Sequence, residues 1–369
     1  MRIKSVIFLV ALFIMLHPLQ AQINEVRISG SVSKLFKHSQ KSLFEIPERS
    51  YTAELSFLHS STDKYDWGRY FGKPRIGLSF IYTDFGDKDI LGYAVGAFPN
   101  IEYFFFNRNR FSAGFQLGVG IARLNKYYDV IENPLNNAIG SSWNNVSRLA
   151  FQIDFQVTGL WFLHTNAHLT HYSNAGTQMP NLGLNVIGFG AGVLRKFGQN
   201  EKKPVGENKE KENHENRFGA DLAGGAGISE YGIPGGPKLP TQYYSIGIYR
   251  SFSPFLRLYS GIEYEYSESV FQFYYQDFES KKNARQRATA TSAYITTELM
   301  HDRFAFRFQK GIYLPFPELT RDKTPIYFKL HLLSYAGNTQ WKIRPYGGIL
   351  LKTHLSVAQY MGIVVGLRY

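Results

Sequence analysis

Apolar and polar side chains change places at every residue in stretch after stretch of this chain. Tyr51, Ala53, Leu55 and Phe57 alternate with Thr52, Glu54 and Ser56. Leu149, Phe151, Ile153, Phe155 and Val157 alternate with Gln152, Asp154 and Gln156. Ile326, Phe328, Leu330 and Leu332 alternate with Tyr327, Lys329 and His331. A period of two puts successive side chains on opposite faces of a β-strand. Read along the whole chain, this pattern predicts sixteen strands. Eight fall in the first half, at 25–33, 50–59, 74–85, 93–105, 111–124, 147–158, 161–174 and 184–197. Eight more fall at 219–228, 242–250, 255–267, 288–301, 303–314, 325–336, 341–354 and 357–369. The apolar face of such a sheet meets either a second sheet, as in a secreted sandwich, or lipid, as in a transmembrane barrel.

Export and composition favour the barrel. Arg2 and Lys4 precede an apolar run from Val6 to Leu16, followed by His17, Pro18, Leu19, Gln20 and Ala21, the order of a signal peptide over residues 1–21. The chain has no cysteine, so neither a disulfide framework nor a lipid anchor on cysteine is expected. After the leader, no run of 18 apolar residues predicts a helical span. Aromatics make up 16 % of residues, with 30 Phe, 25 Tyr and 34 Gly. Many short alternating segments of this composition predict an all-β, antiparallel transmembrane barrel in the bacterial outer membrane.

Residues 199–217 interrupt the pattern with Lys202, Lys203, Glu207, Lys209, Glu210, Lys211 and Glu212, a solvated linker. They divide the chain into units at 22–198 and 218–369, and Thr170–Ala175 is echoed by Thr353–Ala358. A duplicated eight-stranded unit is expected, closing as two barrels of eight strands or as one of about sixteen. With the N-terminus in the periplasm, the long 125–146 connection falls outside and the short ones at 107–110 and 158–159 fall inside; the 60–73 connection is a long exception. A final aromatic, Tyr369, resembles the assembly signal of outer-membrane barrels, which makes the barrel-assembly machinery an expected partner.

The densest chemistry lies in 161–198. Trp161, Leu163, Thr165, Ala167, Leu169, His171 and Ser173 share one strand face, and Asn185, Ile187, Phe189, Ala191 and Val193 share a face of the next. A turn centred near Met179 or Gln178 sets His171 opposite Asn185, with Cβ atoms about 4.5–5.5 Å apart. Three polar groups then cluster on an apolar outer surface. A serine hydroxyl needs an adjacent base to become a nucleophile, and a tetrahedral intermediate needs donors at its oxygen. Asp154 alternates with apolar residues and points inward. His164 and His168, about 13 Å apart along one strand face, are too distant to share a metal and read as interior polar groups. No cofactor and no metal are expected. The formal charge of +12 suits contact with phosphorylated glycolipid and is no argument for nucleic acid.

The string His171, Tyr172, Ser173, Asn174, Ala175, Gly176, followed by Pro180, Asn181, Gly183 and Leu184, resembles the lipid A 3-O-deacylase (PagL) family. The resemblance covers roughly the first half and is sharp over 168–197. It implies an eight-stranded outer-membrane barrel whose lipid-facing triad hydrolyses an ester-linked acyl chain of lipid A. It implies Ser173 as nucleophile, His171 as base, and Asn174 and Gly176 at the oxyanion hole. The family's acid stands fourteen residues after its histidine, where this chain has Asn185. An amide can orient the imidazole, as in Cys-His-Asn proteases, but supplies no charge. The alternative is a structural or transport barrel, or a wide pore, that keeps the fold without the chemistry. His354 and Ser356 share an inner face with Lys352, so the second unit reads as structural.

Overall fold

The computed structural model describes residues 24–36, 41–60, 74–108, 110–197, 217–231, 233–276, 279–301, 303–314, 324–337, 341–354 and 357–369. The expected signal peptide, the linker apart from Arg217, most of the 60–73 connection, and Leu355 and Ser356 lie outside the described residues.

All sixteen expected strands are present. In the first unit they are β1 (Glu25–Phe36), β2 (Ser50–Ser60), β3 (Arg75–Asp84), β4 (Tyr93–Arg108), β5 (Phe111–Leu124), β6 (Trp143–Thr158), β7 (Trp161–Ser173) and β8 (Leu184–Lys196). In the second they are β9 (Phe218–Glu230), β10 (Lys238–Ser251), β11 (Leu256–Ser267), β12 (Thr289–His301), β13 (Phe304–Leu314), β14 (Ile326–Tyr335), β15 (Arg344–His354) and β16 (Val357–Arg368). Each set of eight closes into its own antiparallel barrel, β1 pairing with β8 and β9 with β16. The choice left open by the sequence is therefore two barrels, not one of sixteen strands. A feature without a period-two signature joins β11 to β12: a helical hairpin of α1 (Glu268–Gln276) and α2 (Lys281–Arg287). The Ser280 hydroxyl caps α2 by accepting from the Asn283 N–H at 3.3 Å, and Phe271, Ala284 and Ala288 close the hairpin's small core.

Strands of 10 to 16 residues are long enough to cross hydrocarbon at a tilt. The outward faces are apolar: Ile28, Val32, Phe80, Phe115, Leu149, Phe151 and Phe155 are exposed in the first barrel. Ile246, Ile262, Ile295, Ile349 and Ile363 are exposed in the second. Eight strands enclose a lumen just wide enough for side chains to fill. In the first barrel that filling is ionic. Arg75 pairs with Glu25 at 2.9 Å, with Glu102 at 2.8 Å and with Asp154. Arg27 reaches Glu102 at 2.8 Å and Arg148 reaches Glu54 at 3.0 Å. His164 and Asp154 meet at 2.7 Å, so the two interior histidines and Asp154 point inward as expected.

Toward the end that carries the longer connections, the lumen turns apolar. Phe44, Phe85, Leu91 and Ile139 come from loops and pack on Phe98, Tyr172, Leu184 and Val186. The 125–142 connection folds inward here and buries Ala138 and Ile139 completely.

The second barrel is filled by Arg307, which reaches Asp221 at 3.0 Å and Glu298 at 2.6 Å and donates to the Tyr335 and Tyr346 hydroxyls. Lys329 pairs with Glu263 at 2.6 Å, and Lys352 pairs with Glu265. His354 faces inward onto Tyr313, as expected, so this histidine is on the opposite side from a lipid-facing site. Side chains cross both lumens, and the wide-pore reading falls with the single sixteen-stranded barrel.

Removing one member of a buried ion cluster leaves its partners uncompensated, at about 3–5 kcal/mol. Arg75→Ala takes the shared cation from Glu25, Glu102 and Asp154 together, leaving each with one weaker or already engaged partner in Lys196, Arg27 and His164. The urea midpoint for loss of the heat-modifiable folded form should drop clearly; an unchanged midpoint would show that the cluster does not hold the barrel together.

Candidate functional site

The polar cluster sits where the outward face of β7 and β8 reaches the long-loop end. Below it Leu149, Leu169, Ile187 and Phe189 are exposed on that face. The ladder places His171 directly across from Asn185, as the spacing predicts. Asn185 is also across from Phe36 of β1, so both neighbouring strands fix its position. The His171 Nδ1–H donates to Asn185 Oδ1 at 2.7 Å. That bond places the proton of the neutral ring on Nδ1 and makes Nε2 the basic atom.

Ser173 is the last residue of β7, two residues from His171 on the same face, and is 9 % exposed. The chain leaves the strand at Asn174, which is buried and donates from Nδ2 to Ser141 Oγ at 3.2 Å. Ala175 and Gly176 follow with φ of 56° and 78°, a left-handed turn that suits the glycine. The sequence-predicted set His171, Ser173, Asn174 and Asn185 is thus brought together on the first barrel, with Gly176 next along the turn. Among the described residues the ring N–H of His171 is shown bonded to the Asn185 amide. Asp154 is in the lumen, bound to Arg75 and His164. Among the described residues no group of three or more His, Asp or Glu stands where it could hold a metal ion.

Two further polar residues extend the cluster and escaped the sequence reading. Asn145 lies across from Ser173, and Ser147 across from His171. Ser147 donates to Asn145 Oδ1 at 2.7 Å, and Asn145 Nδ2 donates to Gly120 O at 3.1 Å. Continuing the outward alternation of β6 back past Leu149 would have found them; the run Trp143–Asn145 reads instead as loop.

The ring of His171 rests on bare backbone. A Cβ added to Gly183 would lie 2.7 Å from His171 Cε1 and 3.2 Å from Tyr172 O, and Gly183 has φ of 78°. Its N–H donates to Ala138 O at 2.9 Å, in the loop segment that is fully buried. The apolar plug of the barrel end therefore holds the backbone against which the imidazole packs.

Comparison with known proteins fits this geometry. Residues 51–193 match the family model described as lipid A 3-O-deacylase (PagL). The matched residues lie within the first barrel, and β9 to β16 lie beyond them. Among solved structures, the outer membrane enzyme PagL is similar at 18 % identity, over 46 % of this chain and 97 % of that one, with a TM-score of 0.33. The toluene transporter TodX of Pseudomonas putida is similar at 9 % identity, over 93 % and 89 %, with a TM-score of 0.19. The outer membrane protein Omp33 of Acinetobacter baumannii is similar at 5 % identity, over 95 % and 99 %, with a TM-score of 0.19. No curated protein matches the chain.

Gly183→Ala should push the His171 ring off its seat. Gly159→Ala is the matched control: Gly159 has φ of 47° and nothing within 4 Å of its added Cβ. Both variants carry the backbone penalty of a left-handed alanine, about 1–2 kcal/mol. Only Gly183→Ala should slow reaction of Ser173 with a fluorophosphonate, by about tenfold or more; equal rates in the two variants would show that the glycine does not position the histidine.

Proposed function

We propose that the first barrel is an outer-membrane esterase that removes an ester-linked acyl chain from lipid A or a related glycolipid through a serine acyl-enzyme. The observation that carries the reading is the His171–Asn185 hydrogen bond, made beside Ser173 on a face that is otherwise lipid-exposed. A soluble esterase would have to draw its substrate out of the membrane. Here the acyl chain lies along Leu149, Leu169, Ile187 and Phe189 without leaving hydrocarbon, and its ester meets the polar cluster at the rim.

Ser173 Oγ attacks the ester carbonyl carbon as its proton passes to His171 Nε2. The carbonyl oxygen becomes an oxyanion held by main-chain N–H groups at Asn174 and Gly176. The Asn174 side chain donates to Ser141, which supports a part for its main chain. The ester C–O bond then breaks, and the sugar oxygen leaves with the proton from His171. Water, deprotonated by His171, attacks the acyl-enzyme and releases the fatty acid with Ser173 restored.

Asn185 holds the ring in the productive tautomer without stabilising the imidazolium by charge. In a serine triad the change from acid to amide costs about 10⁴ in rate, part of it through the wrong tautomer. The second reading, a barrel without catalysis, is favoured by that one residue. Export by the signal peptide over 1–21, insertion by the barrel-assembly machinery, and the division into units at 22–198 and 218–369 around a linker belong to the same proposal, with the second unit structural.

A fluorophosphonate should label the protein at Ser173 and leave Ser173→Ala unlabelled. Asn185→Asp keeps the side-chain length and adds the missing charge, and should raise the rate of glycolipid ester hydrolysis at least about tenfold. Absence of labelling at Ser173, with the barrel folded, would favour the non-catalytic reading.

A further inference from the structure

Arg27, Arg75, Arg148 and Arg307, buried in the lumens, have carboxylate partners, whereas two lipid-facing arginines have none among the described residues. Arg195 leaves the outward face of β8 at the short-turn end, across from Trp161. Its Cζ lies 5.0 Å from the centre of the Trp161 ring and 4.9 Å from that of Phe197. In the second barrel Arg250 is exposed at the corresponding end of β10, across from Phe218. Its Cζ lies 5.6 Å from the Phe218 ring and 5.0 Å from the Phe252 ring. All four rings are exposed.

Aromatic rings at a barrel rim sit at the level of lipid headgroups. A guanidinium held over ring faces keeps its N–H donors at its edge, directed away from the rings, in the planar fork that matches a phosphate. We propose that Arg195 and Arg250 each bind the phosphate of a phospholipid headgroup at the inner membrane interface. The same contact sets the depth of the candidate site. His171 is ten residues beyond Trp161 on β7 (161 to 171). At about 3.3 Å per residue and a tilt of about 40°, that is about 25 Å along the membrane normal, the height of the apolar band of such barrels. Anchoring Arg195 at inner headgroups puts His171 at the opposite interface, where ester-linked chains begin.

The test is native mass spectrometry of the full chain released from detergent containing phosphatidylglycerol. The unaltered protein should retain two tightly held lipids. Arg195→Gln and Arg250→Gln should each weaken retention of one lipid by about tenfold, the loss of a charged hydrogen bond. Heat-modifiable migration reports folding of each variant, and because the sites are in separate barrels either variant alone carries the test. Equal lipid retention in the folded variants would overturn the proposal. Displacement of the lipid by equimolar inorganic phosphate would overturn it too, by showing a site for free anion.

Discussion

Hydrocarbon offers no partner to a backbone N–H or C=O, and each unpaired group there costs several kcal/mol. Both halves of this chain meet that constraint by closing the sheet on itself. β1 pairs with β8 from Glu25–Lys196 to Phe36–Asn185, and β16 pairs with β9 from Met361–Ile228 to Arg368–Asp221. Closure fixes the register, and register fixes the two faces. It turns apolar residues to lipid and confines Arg27, Arg75, Arg148 and Arg307 to lumens where carboxylates must meet them. It also pins Asn185 between His171 and Phe36.

Polar residues cluster at one place on a lipid face that is otherwise mostly apolar. His171, Ser173, Asn185, Asn145 and Ser147 gather at one end of it, and nothing in the barrel's own stability calls for them. The plug of loop residues beneath supplies what a strand surface lacks, a rigid seat for an imidazole. Gly183 presses its backbone on the ring, and Ala138 holds Gly183. The ionic lumen and the apolar plug thus divide the work: one stabilises the cylinder, the other shapes the rim that carries the candidate site.

Much of this follows from periodicity, and what does not has a physical reason. Alternation locates every strand, the outward face of β7, and the His171–Asn185 pairing, because side-chain direction in a strand depends on position alone. It could not choose between one barrel and two, since closure depends on which distant strands meet. It missed α1 and α2, whose hydrophobic contacts are with each other and with Tyr266 rather than along a sheet. It placed the start of β6 at 147 although the strand begins at Trp143, because Asn144 and Asn145 have loop chemistry. The burial of Phe44, Phe85, Leu91 and Ile139 is a property of loops folding inward, which carry no period. The role of Gly183 depends on an approach between residues twelve apart (171 to 183), invisible without coordinates.

The central claim is that Ser173 cuts an acyl ester of lipid A from within the membrane. Mass spectrometry of lipid A from cells producing this protein, beside cells producing Ser173→Ala at equal outer-membrane levels, tests it most directly. The account predicts loss of one acyl chain with the unaltered protein alone. Identical lipid A in both cells, with both barrels folded, would contradict it.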